Sequence, residues 1–90
     1  MTERRTKMDI VYDMLHAIQE KGGSILPTHL LYKSNLSHGR LKQYVDELKV
    51  KALVTEIEKK GKMQYVLTDQ GVKFLANYRQ LREFTDAFGL

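Results

Sequence analysis

The chain has no cysteine and no tryptophan, and a single proline among 90 residues. Without cysteine there is no disulfide and no thiolate zinc site, and an intracellular setting is expected. No apolar run approaches the roughly 18 residues of a membrane span. The first residues, Met1-Thr2-Glu3-Arg4-Arg5, lack the apolar centre of a signal peptide. Aromatic residues make up 9% of the chain, five tyrosines and three phenylalanines. No glycine-rich phosphate loop occurs. His16, His29 and His38 are too scattered for a metal site, and no serine or histidine sits in a nucleophile context. Enzymatic chemistry is therefore not expected, nor is a metal.

Ninety residues, 42% hydrophobic, suffice for one small core. The net charge of +4 matters less than its distribution. Residues 1–36 carry 5 basic and 4 acidic side chains, residues 37–62 carry 7 and 4, and residues 63–90 carry 3 and 3. The basic excess therefore lies in the middle third, where a local positive surface would concentrate a polyanion.

Hydrophobic spacing divides the chain into elements. Ile10, Val11, Met14, Leu15 and Ile18 form one stripe of a helix over 7–21. Gly22-Gly23 stops it. Ser24-Ile25-Leu26 is too short to stand alone and is expected to pair as a third strand near a hairpin. Pro27 suits the first turn of a second helix, which reaches about Lys33 with Leu30 and Leu31 inward. Ser34-Asn35 reads as a turn and Leu36 as a plug between helices. Ser37 is the N-cap of a third helix to about Lys51, whose inner face is Leu41, Tyr44, Val45 and Leu48. Residues 52–58 read as a strand, Lys59-Lys60-Gly61-Lys62 as a hairpin loop, and residues 63–67 as the return strand. Thr68 caps a last helix reaching about Phe88, with Asp69 favourable to its dipole.

Two short helices joined by a tight turn make a helix-turn-helix, and a following hairpin makes a wing. The expected fold is mainly α with a small β-hairpin. Residues 1–67 form a winged helix-turn-helix headpiece. Residues 68–90 form a C-terminal helix that packs on the core and then dimerises.

A helix entering a major groove presents its first turns and the face opposite its core stripe. On the third helix that set is His38, Gly39, Arg40, Lys42 and Gln43, with Asp46 beside them. Arg and Gln suit bidentate contacts to guanine and adenine edges, and Lys suits phosphate or guanine. Arg40 opposes the helix dipole, and Gly39 lowers helix propensity by up to about 1 kcal/mol relative to Ala. Both choices make sense where a phosphate or base edge comes close, although first turns also tolerate such residues. Lys59, Lys60 and Lys62 of the wing are expected to reach phosphates, and solubility alone would also favour them. Thr28, Asn35 and Ser37 lie at helix ends, where phosphate binds.

On the last helix, Val72 and Leu75 are expected in the core. Phe74, Tyr78, Leu81, Thr85 and Phe88 follow 4, 3, 4, 3 spacing, a coiled-coil seam that Phe84 widens. The alternative folds this helix back onto the first helix of its own chain.

These residues resemble a known family. Thr28 through Leu36, Leu41 with Tyr44 and Leu48, Ala52-Leu53-Val54, Tyr65-Val66-Leu67-Thr68, and Gly71 with Phe74-Leu75 are similar to the archaeal winged helix-turn-helix DNA-binding proteins of the small, dimeric, ten-kilodalton type. The resemblance implies a transcriptional regulator or chromatin-associated protein. Such a protein is cytoplasmic, sits on the nucleoid and binds duplex DNA. It acts without cofactor, as a homodimer with an antiparallel coiled coil. Ala52 departs from the pattern, which often has Gly there, and the tail ends early, at Phe88-Gly89-Leu90. Two rival readings stay open: an adaptor that uses the same fold to bind protein, and a binder of single strands, which would need exposed aromatics.

Overall fold

Three of the four helices close in the same way. This regularity follows from local sequence. The computed structural model describes residues 5–90. In α1 (Lys7–Glu20) the Thr6 side chain accepts from Asp9 N–H and the Asp9 side chain accepts from Thr6 N–H, a reciprocal capping box. At its other end Gly23 N–H donates to Ile18 O and Gly22 N–H to Gln19 O. The same pair of bonds ends α3 (His38–Val50), through Leu53 to Leu48 O and Ala52 to Lys49 O. It ends α4 (Asp69–Ala87) through Leu90 to Thr85 O and Gly89 to Asp86 O. Each is a Schellman closure, which requires one left-handed residue. In α1 and α4 that residue is glycine; in α3 it is Ala52, at φ 60°.

This corrects the expectation that Ala52 and Leu53 begin a strand. They complete the stop signal of α3, and β2 (Val54–Lys59) starts after them. It pairs antiparallel with β3 (Lys62–Leu67), from Val54↔Leu67 to Lys59↔Lys62. The expected four-residue loop therefore shrinks to Lys60-Gly61. Both have positive φ, 53° and 77°, as a two-residue hairpin turn of the I′ type requires. The short strand β1 (Ser24–Ile25) pairs with the far edge of β3, Ser24↔Val66 and Ile25↔Tyr65, so the sheet order is β1-β3-β2. That was the role expected of this segment.

Between β1 and the turn lies α2 (Pro27–Ser34), with proline in its first turn. Asn35 ends it at φ 56°, a conformation asparagine tolerates better than most residues. Ser34 is fully buried, and its hydroxyl donates to Leu30 O at 2.6 Å. The core is one cluster: Ile10, Val11, Met14, Leu15, Ala17 and Ile18 of α1, Ile25 of β1, Leu30 of α2, Leu41, Val45 and Leu48 of α3, Val54 of β2 and Leu75 of α4. Leu31, Leu36, Tyr44 and Phe74 pack on its margin.

The start of α4 is locked to the foot of the wing. Thr68 Oγ1 accepts from Gly71 N–H at 3.0 Å and donates to Ala52 O at 2.6 Å. Gly71 is buried there, and a Cβ on it would lie 2.5 Å from both Leu53 O and Leu67 Cδ1. Val72, expected in the core, is instead 44% exposed. The helical turn places it away from the face that carries the buried Gly71 and Leu75. Beyond Leu75 the helix runs out from the domain, and the molecule measures 48 × 31 × 22 Å.

Candidate nucleic-acid interface

With Leu41, Val45 and Leu48 buried, helical geometry puts Gly39, Gln43, Asp46 and Val50 at the front of α3. His38 and Lys42 lie on one flank, Arg40 and Glu47 on the other. All except the partly covered Glu47 are exposed. The first flank shares a cleft of about 300 Å³ with Thr28 of α2 and with Glu56 and Tyr65 of the wing. The structure thus brings Thr28, His38 and Lys42 together from two helices. The second flank forms a smaller hollow with Lys7 and Tyr44, and the Arg40 guanidinium lies 5.9 Å from the Tyr44 ring centre. Lys7, from α1, was missed by sequence reasoning, because nothing in the α1 pattern tells that its first turn lies beside α3. Val50, 86% exposed at the end of the front row, was missed because it belongs to no apolar stripe.

Two of the helix-end candidates have structural duties. Ser37 Oγ accepts from Arg40 N–H at 3.3 Å, so it is the cap of α3. Asn35 supplies the left-handed turn, and its carbonyl together with that of Ser34 receives Arg5 Nη2, at 3.5 and 2.9 Å. Gly39 has open space around it, so none of the described residues excludes a side chain there.

Three of the four acidic residues near this face are neutralised locally, and the fourth, Glu58, has no cation partner among the described residues. Glu47 pairs with Lys7 at 2.7 Å, Glu56 with Lys49 at 2.6 Å, and Asp46 loosely with Lys42 at 3.8 Å. The hydrogen bond from Lys7 holds the Glu47 carboxyl below its ordinary pKa, and that from Lys49 to Glu56 raises the Lys49 ammonium. Such exposed pairs add little stability, because solvent screens them. Their consequence is electrostatic: Arg40 and the wing-tip Lys59, Lys60 and Lys62 have no carboxylate partner among the described residues. The face keeps a positive character despite its four acids.

The residues assigned to the α4 seam divide into two groups. Tyr78 turns back onto α1: its hydroxyl donates to Asp9 Oδ1 at 2.6 Å and its ring stacks on Tyr12 at 4.9 Å. Phe74 is half-buried against the core. The fold-back alternative therefore describes this half of the helix. Leu81, Phe84 and Phe88 are 59%, 62% and 67% exposed. Thr85 Oγ1 is occupied with Arg82 O at 3.0 Å. The stripe that remains outward is Asn77, Leu81, Phe84 and Phe88, spaced 4, 3, 4, with the half-buried Phe74 at its inner end. Tyr78 and Thr85 of the expected seam are replaced in it by Asn77 and Phe84.

A family model described as winged helix-turn-helix matches residues 4–86. An uncharacterized protein of Methanocaldococcus jannaschii is 26% identical over 84 residues, which cover 93% of this chain and 80% of that one. Among solved structures, Sso10a-2, a DNA-binding protein from Sulfolobus solfataricus, superimposes with TM-score 0.79 at 15% identity, covering 93% of this chain and 85% of that one. F93 from STIV, a winged-helix DNA-binding protein, gives 0.71 at 17% identity, covering 89% and 92%. The oxidized form of MarR from E. coli gives 0.74 at 22% identity, covering 88% of this chain and 62% of that one. Three-stranded wing, buried helix-turn-helix and family match agree: the chain belongs to the winged helix-turn-helix family.

Proposed function

We propose that the protein binds duplex DNA through α3 and the wing, as a homodimer joined by the distal half of α4. The observation that carries the reading is the front of α3. It is exposed along its length, flanked by Arg40, His38 and Lys42, and continued by three wing lysines that have no ion pair among the described residues. On this reading Gln43 and Arg40 meet base edges, and Lys59, Lys60 and Lys62 meet the phosphates alongside. Thr28 and His38, which line the shared cleft, are on this reading the contacts to a backbone phosphate. The structurally similar proteins described as DNA-binding support the same assignment. On this reading the protein works on the nucleoid, as a regulator or an architectural component.

Dimerisation rests on the exposed Leu81, Phe84 and Phe88. A heptad stripe on a helix that its own domain leaves uncovered suits a second copy. Burying each of these side chains contributes about 1.5–3 kcal/mol. The DNA assignment is tested by changing Arg40 and Lys42 to Ala together. Affinity for duplex should fall at least about tenfold, the loss of two charge-assisted contacts, with helix content unchanged. A folded double variant with unchanged affinity overturns the assignment. It would favour the adaptor reading, for which exposed Tyr32 and Val50 offer protein-type contacts.

A further inference from the structure

The distal half of α4 is held to the headpiece by one small polar cluster. Leu75 is the last α4 residue in the core. Past it, Tyr78 donates to Asp9 Oδ1 at 2.6 Å, and Arg82 Nη1 reaches the same oxygen at 3.5 Å. Tyr12 stacks on Tyr78, and its hydroxyl accepts from Arg79 Nε at 3.1 Å, while Arg79 Nη2 donates to Gln19 at 3.3 Å. The other oxygen of Asp9 accepts from Thr6 N–H at 3.1 Å and so fixes the start of α1. One turn away, Arg5 bonds Asp13 at 3.0 Å and the carbonyls that end α2. The open cleft of about 510 Å³ between α1 and α4 is lined by these same side chains.

We infer that this cluster, with Tyr78 at its centre, sets the direction of α4 relative to α3 and thereby the separation of the two DNA-binding faces in the dimer. The inference rests on the dimer reading above. The magnitudes make it specific. Twelve residues separate Leu75 from Ala87, a lever of about 18 Å. A swing of about 10° at the junction moves its tip by roughly 3 Å, close to the rise of one base pair. The directional hydrogen bonds of Tyr78 and its stack on Tyr12 fix the angle of this lever. Tyr78 is thus a positioning residue. Its loss should leave each face able to bind, while the pair of faces no longer keeps one spacing.

The absence of native cysteine makes the test direct. Spin labels on Lys60→Cys and Ala87→Cys in one chain, diluted with excess unlabelled chain, report the head-to-tail distance by pulsed dipolar spectroscopy. Lys60→Cys alone reports the distance between the two wings of a dimer. The unmodified background should give narrow distributions for both. Tyr78→Phe, which removes only the hydroxyl, and Tyr78→Ala, which also removes the stack, should broaden both by roughly 3 Å or more. Dimer sedimentation and circular dichroism should stay unchanged in both. An intrachain distance equally narrow in all three chains overturns the junction. An intrachain distance that broadens without any distance between wings, even in the unmodified background, leaves α4 held by Tyr78. It overturns the spacing role together with the dimer.

Discussion

Two single residues carry backbone demands that their neighbours enforce. Gly71 sits where α4 crosses the foot of the wing, with carbonyl oxygen of Leu53 in the space a methyl would need. Backbone cannot step aside as a side-chain tip does, so Gly71→Ala should lower stability by about 1–3 kcal/mol, measured as a lower midpoint in urea. Ala52 presents the opposite case. It holds a left-handed conformation that costs an L-residue about 1–2 kcal/mol. Ala52→Gly relieves that strain but frees the unfolded chain, which returns roughly 0.4–1 kcal/mol. A net gain of about 0.5–1 kcal/mol follows, and thermal melting should show it as a rise of a few degrees. Asp9 gives a pH signature. Its carboxyl is held below the ordinary aspartate value of 3.8, first by the hydrogen bond from Tyr78, then by Thr6, with a lesser contribution from the charge of Arg82. A depressed carboxylate adds stability above its unfolded pKa and loses it as pH falls through the folded one. Melting temperature should therefore drop as pH is lowered below about 4, and less steeply in Asp9→Asn.

At the scale of elements, capping chemistry was legible and alternatives of register were not. Gly22-Gly23, Ser37 and Thr68 mark helix ends in sequence because each supplies a particular backbone or side-chain bond. Ala52 hid the start of β2, because the left-handed residue that completes the stop of α3 is not glycine. On α4 two seams interleave: Phe74, Tyr78, Leu81, Thr85, Phe88 and Phe74, Asn77, Leu81, Phe84, Phe88. Periodicity alone supports both. The choice is made by Asp9 and Tyr12 on α1, which capture Tyr78, and no local pattern announces a contact between residues 69 positions apart. The front of α3 was readable because its core face was. Its partner Lys7 was not, since the hydrogen bond to Glu47 spans 40 positions. The wing belongs to this scale too. Replacing Lys59, Lys60 and Lys62 together should weaken binding alike across sequences and reduce the salt slope by up to about 3. A slope equal to that of the unmodified chain would place the wing off the DNA.

For the whole molecule, the headpiece satisfies its own core and the end of α4 does not. Leu81, Phe84 and Phe88 leave an apolar stripe at the tip of a 48 Å particle. Sedimentation at tens of micromolar should give a dimer, twice the 10.5 kDa chain. Leu81→Glu with Phe88→Glu should give a folded monomer with much weaker DNA binding; a monomeric unmodified chain would remove the dimer from the account. The most direct measurement of the central claim is a titration of the unmodified protein against random-sequence duplex at several salt concentrations. The account predicts measurable binding at low salt and a logarithmic association constant that falls linearly with the logarithm of salt, the mark of phosphate contacts releasing counterions. No binding to duplex at low salt, or an affinity that salt leaves unchanged, would contradict it.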